Sequence, residues 1–288
     1  MSDKMKNLIT RTISGVIFVA IMVTGIAFRA EVMILLFAAI TGMTIWEYTG
    51  LVNRLPDITV NRFISTVAGI YLFLAMAGYC GEKVPSAAFI PYLLTVVYPF
   101  VSELYAKNEN AIHDWAYTML SQMYIALPLS MISVLAFRSQ GNGTVYYDFV
   151  LPLSVFIFLW TNDTGAYCTG SLLGKHKLFA RISPGKTWEG SIGGGLLVLV
   201  VALIIGITVN NNTSDTHSLN VIQWIGLGLT VVIFGTWGDL VESLFKRTLG
   251  IKDSGNILPG HGGMLDRFDS SLMAIPAAVI YVYTLTLV

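Results

Sequence analysis

Apolar residues run through this chain in nine long blocks, at about 12–28, 32–49, 63–81, 86–105, 115–136, 148–168, 190–209, 221–241 and 270–288. Each approaches the roughly 20 residues a helix needs to cross a bilayer core. Their spacing is helical, with no run of the alternation expected of a half-buried strand. Pro91, Pro99, Pro128 and Pro152 fall within these blocks, where membrane helices tolerate kinks if neighbours re-satisfy the backbone. No stretch reads as a soluble domain, a linker, a repeat or low complexity. The pattern predicts an all-α, polytopic membrane protein of about nine spans, one membrane domain over 1–288. Within it, 1–140 would supply N-terminal helices, and 148–288 the helices and polar loops that carry chemistry.

Composition agrees. The chain has 288 residues, 55% hydrophobic and only 12% charged, where a soluble domain carries about 25% charged residues. Too little charge is present to cover a soluble surface. The formal net charge is zero, which gives no reason to expect a nucleic-acid partner. Cys80 and Cys168 both lie in apolar blocks and read as buried thiols rather than a disulfide framework. Lys4, Lys6 and Arg11 precede the first block. That block is long for a signal peptide, and Phe28-Arg29-Ala30 is a poor cleavage site, so it is expected to stay as the first membrane helix.

Charge then orients the chain. With the N-terminus in the cytoplasm and nine spans, only Arg29, Lys83 and Arg138 of the 17 Lys and Arg fall outside. That asymmetry is the positive-inside bias and puts the C-terminus outside. The two polar loops, about 169–189 and 242–269, both fall on the cytoplasmic side, where nucleotides are.

Candidate chemistry gathers in and around those loops. Asp163, in Trp160-Thr161-Asn162-Asp163-Thr164-Gly165-Ala166-Tyr167, ends the sixth block. A carboxylate there is costly unless paired, metal-bound or wetted; it reads either as a solvated helix end or as a polar wall of a site. Arg181 to Gly190 holds Ser183, Lys186, Thr187 and Glu189. Ala180 to Thr187 loosely matches a P-loop, but no strand or α/β domain is expected around it and Pro184 sits in the loop. The weaker reading keeps Lys186, Thr187 and nearby N–H groups at the opening of a helix, which favours anions; the alternative is a basic loop that merely obeys topology. If the eighth helix continues, Asp239, Glu242, Ser243 and Lys246 share one face. Glu242 and Asp239 would then need a cation, either a metal or the side chains of Lys246 and Arg247.

The most polar stretch is Ser243 to Asp269, SLFKRTLGIKDSGNILPGHGGMLDRFD. It holds Lys246, Arg247, Lys252, His261, Gly262, Gly263, Asp266, Arg267 and Asp269. Lys and Arg neutralise phosphate oxygens, Asp supplies hard oxygen ligands for Mg²⁺, and glycines let backbone N–H groups approach an anion. Asp266 and Asp269 stand i, i+3 at the opening of the ninth block, so carboxylates from two helix ends could converge on one divalent ion. The histidines are scattered and form no zinc set; His261 is expected to bond phosphate or fix the loop.

This 27-residue stretch resembles the signature of the phosphatidate cytidylyltransferases, or CDP-diacylglycerol synthases. The N-D-T-G-A-Y block at Asp163 and S-P-x-K-T-W-E-G from Ser183 to Gly190 resemble two further family blocks. Many members carry a second Lys where this chain has Gly185, which leaves Lys186 as the position to assign. The resemblance implies a reaction between CTP and phosphatidic acid that gives CDP-diacylglycerol and pyrophosphate. It implies Asp239 and Asp266 as ligands of Mg²⁺, with K⁺ beside it. Lys186, Lys246, Arg247, Lys252 and Arg267 would hold phosphates. Asp163, Ser183, Thr187, Glu189, Glu242, Ser243, His261, Gly262, Gly263 and Asp269 would support them. The setting would be a bacterial inner membrane, with the site facing the cytoplasm. Rival readings are a CTP-dependent polyprenol or phytol kinase and a transporter with a charged vestibule. A homodimer is allowed, but spacings such as Gly226-x-Gly228 are too common to place its face.

Overall fold

A computed structural model describes residues 3–106, 110–139, 143–212, 219–257 and 262–286. His261 therefore lies outside the described residues. The helices are α1 (Asp3–Phe28), α2 (Ala30–Val52), α3 (Arg62–Cys80), α4 (Ile90–Ala106, entered by a 3₁₀ turn at Ser86–Phe89) and α5 (Ala111–Ala136). They continue with α6 (Val150–Leu173), α7 (Trp188–Asn212), α8 (Val221–Thr248), α9 (Leu265–Phe268) and α10 (Ser271–Thr286). Over most of their described residues, all nine expected blocks fall on helix. Seven of the spans are long and apolar enough to cross a membrane: α2, α3, Ser86–Ala106, α5, Trp188–Asn211, α8 and Leu265–Leu285. The apolar part of α1, Thr12–Phe28, is shorter than these. The second half of α6 carries Asn162 and Asp163, which lowers its apolar character. The chain is a polytopic, almost wholly helical membrane protein.

Local signals explain several boundaries. Asn61 caps α3, its side chain accepting the Ile64 N–H at 3.0 Å. Asn220 and Gln223 exchange side-chain and backbone hydrogen bonds at 2.8 and 2.9 Å to start α8, the reciprocal arrangement of a capping box. In α5 a π-helical turn at Ser121–Ala126 runs up to Pro128, where a proline removes one backbone donor.

Two antiparallel hairpins depart from the expectation of no strand: β1 (Phe137–Ser139) with β2 (Val145–Tyr147), and β3 (Lys177–Phe179) with β4 (Ser183–Thr187). At three to five residues they are too short to show alternation. Ser183 to Thr187 is thus a strand that feeds α7 directly. Among the described residues it pairs only with β3 in a two-stranded sheet, without the surrounding α/β domain of a P-loop.

The chain groups into two compact units. One comprises 1–153 with 248–268; the other comprises 154–247 with 269–288. The first unit's core is aromatic. Phe37 stacks on Phe73 with centroids 6.3 Å apart, and Phe268 meets Phe18 and Phe37 edge-on at 6.0 and 6.5 Å. Phe268 is fully buried and ties the end of the polar stretch to α1 and α2. Burial and the neighbouring Asp148 push the Tyr147 phenol up to about 12, and its hydroxyl donates to the Ile26 carbonyl at 2.5 Å.

The second unit is built on close helix approaches. Its core includes Phe158, Val198, Ala202, Trp224, Leu227, Val231, Ala274 and Ile275. Small residues let the backbones meet, as membrane helices require where lipid removes the hydrophobic driving force. A Cβ at Gly228 would touch Ala202 at 3.0 Å, and one at Gly238 would lie 2.6 Å from the Asp269 carbonyl and 3.0 Å from that of Ser270. Large exposed side chains such as Leu94 and Leu104 on α4 suit lipid contact rather than water. The Gly238 contact is with backbone, which cannot swing away. Gly238→Ala should therefore destabilise by about 1–3 kcal/mol, read as a lower thermal unfolding midpoint in detergent.

Candidate active site

The second unit holds a cavity of about 390 Å³ lined by Asn162, Asp163, Ala166, Tyr167, Gly185, Lys186, Thr187, Gly190, Ser191, Thr236 and Asp239. Four elements supply its walls, α7 through Gly190 and Ser191. The polar end of α6 brings Asp163, β4 brings Lys186 and Thr187, and α8 brings Thr236 and Asp239. The Lys186 ammonium lies 2.6 Å from Asp239 Oδ2, and both side chains are about a quarter exposed. Thr187 is buried, and its Oγ1 accepts the Gly190 N–H at 3.1 Å, capping α7. Asp269 lies where the charges of Asp239, Asp163 and Lys186 act on it. Its Oδ1 accepts the Ser270 N–H at 2.6 Å.

The helical face anticipated on α8 exists, because α8 runs unbroken to Thr248. Ser243 Oγ donates to Asp239 Oδ1 at 3.2 Å. Glu242 is fully buried and lies 2.7 Å from Lys246 in an i, i+4 ion pair. The Arg247 Nε donates to the Ile182 carbonyl at 3.4 Å, linking the end of α8 to the β3–β4 hairpin. Glu189 braces the other side of that hairpin. It lies 2.5 Å from His176 Nδ1 and accepts the Lys175 and His176 N–H groups at 3.1 and 3.2 Å. Ser183 pairs with Phe179 in the hairpin and lies outside the cavity lining.

The first unit holds the rest of the polar stretch. Asp266 Oδ2 accepts the Ser254 N–H at 2.9 Å, the Ser254 hydroxyl at 2.9 Å and the Gly263 N–H at 2.7 Å. Gly262 has φ +81°, a conformation glycine reaches without strain. A Cβ there would also collide with the Asp266 carboxylate. Lys252 and Arg267 are exposed in this unit. Asp239 and Asp266 thus belong to different units. Asp266 and Asp269 do not share one regular helix: α9 stops at Phe268 and α10 starts at Ser271. The break follows from Asp269 taking the Ser270 N–H, while the Ser270 carbonyl accepts the Ala274 N–H at 3.1 Å and opens α10.

The donor set fits a divalent cation with limits. Among the described residues, no three His, Cys, Asp or Glu side chains are grouped closely enough to hold a metal alone. Mg²⁺ is ordinarily held by one or two carboxylates, with waters and substrate phosphates filling the shell. Asp239, next to Asp163 in the cavity wall and within range of Asp269, is a donor of that kind.

Two residues absent from the sequence reading belong here. Glu47 of α2 and Ser254 both reach the Asp266 loop: Glu47 accepts the Met264 and Leu265 N–H groups at 2.9 and 3.0 Å, and the Ser254 hydroxyl. The available signal was the lone charge inside the apolar block 32–49.

The second unit thus sets a cavity with an acidic–basic pair on its wall into a helical membrane scaffold. Residues 9–285 match the family described as the cytidylyltransferase family. Proteins named phosphatidate cytidylyltransferase are similar along nearly the whole chain. That of Haemophilus influenzae is 34% identical over 284 residues, covering 92% of this chain and 95% of its own. That of Staphylococcus aureus strain COL is 35% identical over 272 residues, covering 93% and 95%. That of Staphylococcus saprophyticus is 41% identical over 173 residues, covering 59% and 60%. The chain belongs to the cytidylyltransferase family and is a nucleotidyltransferase.

Thr187→Val keeps the shape of the residue and removes the acceptor that caps α7. It should cost about 1 kcal/mol, seen as a lowered unfolding midpoint in detergent. An unchanged midpoint would show that the cap contributes nothing.

Proposed function

We propose that the protein converts CTP and phosphatidic acid into CDP-diacylglycerol and pyrophosphate, at the cytoplasmic face of a bacterial inner membrane. The observation that carries this reading is the Lys186–Asp239 pair beside Asp163 in the cavity wall, in a chain of the cytidylyltransferase family. The names of its relatives support both substrates. The positive-inside distribution of Lys and Arg supports the cytoplasmic side.

The chemistry needs no nucleophilic side chain. A phosphate oxygen of the lipid attacks the α-phosphorus of CTP. The bond from that phosphorus to the bridging oxygen breaks, and pyrophosphate departs with the electron pair. Such transfers depend on positioning and on electrostatic stabilisation of the phosphoryl oxygens. Lys186 and Arg247, in the second unit, and Lys252 and Arg267, in the first, are the cations that would neutralise phosphate oxygens. Lys246, paired with Glu242, fixes the end of α8. Asp239 and Asp266 are the residues that the family resemblance implies would hold Mg²⁺, which would supply positive charge to offset the negative charge gathering on the leaving group. Asp163 and Asp269 add negative potential around that cation. Thr187 and Glu189 keep the hairpin and the start of α7 in place, so that Lys186 keeps its position.

Two outcomes test the reading. Purified protein with CTP, Mg²⁺ and phosphatidic acid should release pyrophosphate and form CDP-diacylglycerol; release of CDP instead would identify a kinase. Asp239→Asn and Asp266→Asn should each lower turnover by more than about 100-fold, since changes even one shell further out cost 10- to 100-fold at metal sites. Each variant should keep the unfolding midpoint of a folded protein. Normal Mg²⁺-dependent rates in both would overturn the ligand assignment.

A further inference from the structure

We infer that Glu47 and Ser254 are positioning residues, which hold the Asp266 carboxylate in one orientation before substrate arrives. The inference rests on reading Asp266 as a ligand of the divalent ion. Glu47 is the one charged side chain in the apolar block 32–49, and a carboxylate at such a position is costly unless it is well bonded. Its bonds all reach one place. Oε2 accepts the Met264 N–H at 2.9 Å, Oε1 accepts the Leu265 N–H at 3.0 Å, and Ser254 Oγ donates to Oε1. The two backbone donors flank the start of the turn that carries Asp266.

Ser254 joins the two carboxylates. It is almost fully buried. Its N–H and hydroxyl both bond Asp266 Oδ2, and its Oγ accepts the Asp266 N–H at 3.3 Å. A hydroxyl has one proton, yet two carboxylates face this one. Whichever of them takes it, the position of the other depends on it, so Glu47 acts on Asp266 through Ser254. With the Gly263 N–H also on Oδ2, the carboxylate is pinned through one oxygen, as outer partners pin the ligands of metal sites.

Two glycines of the polar stretch fit this brace independently. A Cβ at Gly263 would collide with the Glu47 carboxylate and with Ser254 Oγ, and one at Gly255 would lie 2.6 Å from a Glu47 oxygen. Neither has a positive φ, so conformational freedom does not explain them. They make room for Glu47, which lies more than 200 positions away in sequence.

The test compares wild type, Glu47→Ala, Glu47→Gln, Ser254→Ala and Asp266→Asn as full-length protein in detergent. Hydrogen exchange of the 263–266 amides is measured without metal, and the half-saturating Mg²⁺ concentration and KM for phosphatidic acid are measured in turnover. Glu47→Ala should speed exchange at Met264 and Leu265 at least about tenfold and raise the Mg²⁺ requirement on the order of 10- to 100-fold, with KM for phosphatidic acid unchanged. Ser254→Ala should raise the Mg²⁺ requirement similarly. Glu47→Gln, which keeps one acceptor and offers an amide to Ser254, should fall between Glu47→Ala and wild type, and keeps the test open should the alanine variant not fold. Unchanged exchange in Glu47→Ala and Glu47→Gln, or faster exchange with no change in Mg²⁺ requirement, would overturn the positioning role. Normal Mg²⁺-dependent turnover in Asp266→Asn would instead overturn the ligand reading, which separates the two failures.

Discussion

Carboxylates gathered at the wall of a helix bundle govern this molecule. In the second unit, Asp163, Asp239 and Asp269 lie within electrostatic range of one another, and Lys186 pairs with one of them. In a poorly screened helix bundle such crowding is expensive. In the proposed reading, this arrangement is what would attract a cation and, with it, the substrate phosphates. Other charged pairs nearby are Glu242 with Lys246 and Glu189 with His176. They lie outside the lining of the cavity, whose wall carries the Lys186–Asp239 pair.

The scaffold delivers those groups through ordinary means. Close approaches at Gly228 and Gly238 bring helix backbones together in the second unit. In the first unit, Phe268 anchors the end of the polar stretch among Phe18 and Phe37, two positions after Asp266. A side chain that must present a carboxylate within a fraction of an ångström gains from an anchored neighbour and from saturated hydrogen bonds. Asp266 has both. The polar stretch is therefore far from a loose loop, although its composition alone suggests one.

Much of this was readable from the chain. The apolar blocks locate the helices closely; the block 86–105, for example, lies on Ser86–Ala106. The shared face of Asp239 and Ser243 followed from helical spacing alone, and a direct hydrogen bond joins them. What escaped was either too short or too distant. Three-residue strands such as Phe137–Ser139 leave no period to detect. The turn at Asp269 and Ser270 interrupts a helix through local backbone bonds that the apolar pattern does not encode. Glu47 meets Met264 across 217 positions, and no local window contains both. Its lone charge in a greasy block was visible, but its partner was not. The same distance hid the reason for Gly255 and Gly263, which local reading assigns to anion approach and the structure assigns to a carboxylate.

Whether the carboxylates of Asp239 and Asp266 share one cation is best measured by titrating Mn²⁺, as a magnetic stand-in for Mg²⁺, into wild type, Asp239→Asn, Asp266→Asn and the double variant in the presence of CTP. Bound ion is counted by electron paramagnetic resonance. Shared coordination predicts one tight ion in wild type, a large loss in either single variant, and little further loss in the double, because residues acting on one ion are not additive. Additive losses, or a single variant that binds as tightly as wild type, would contradict it.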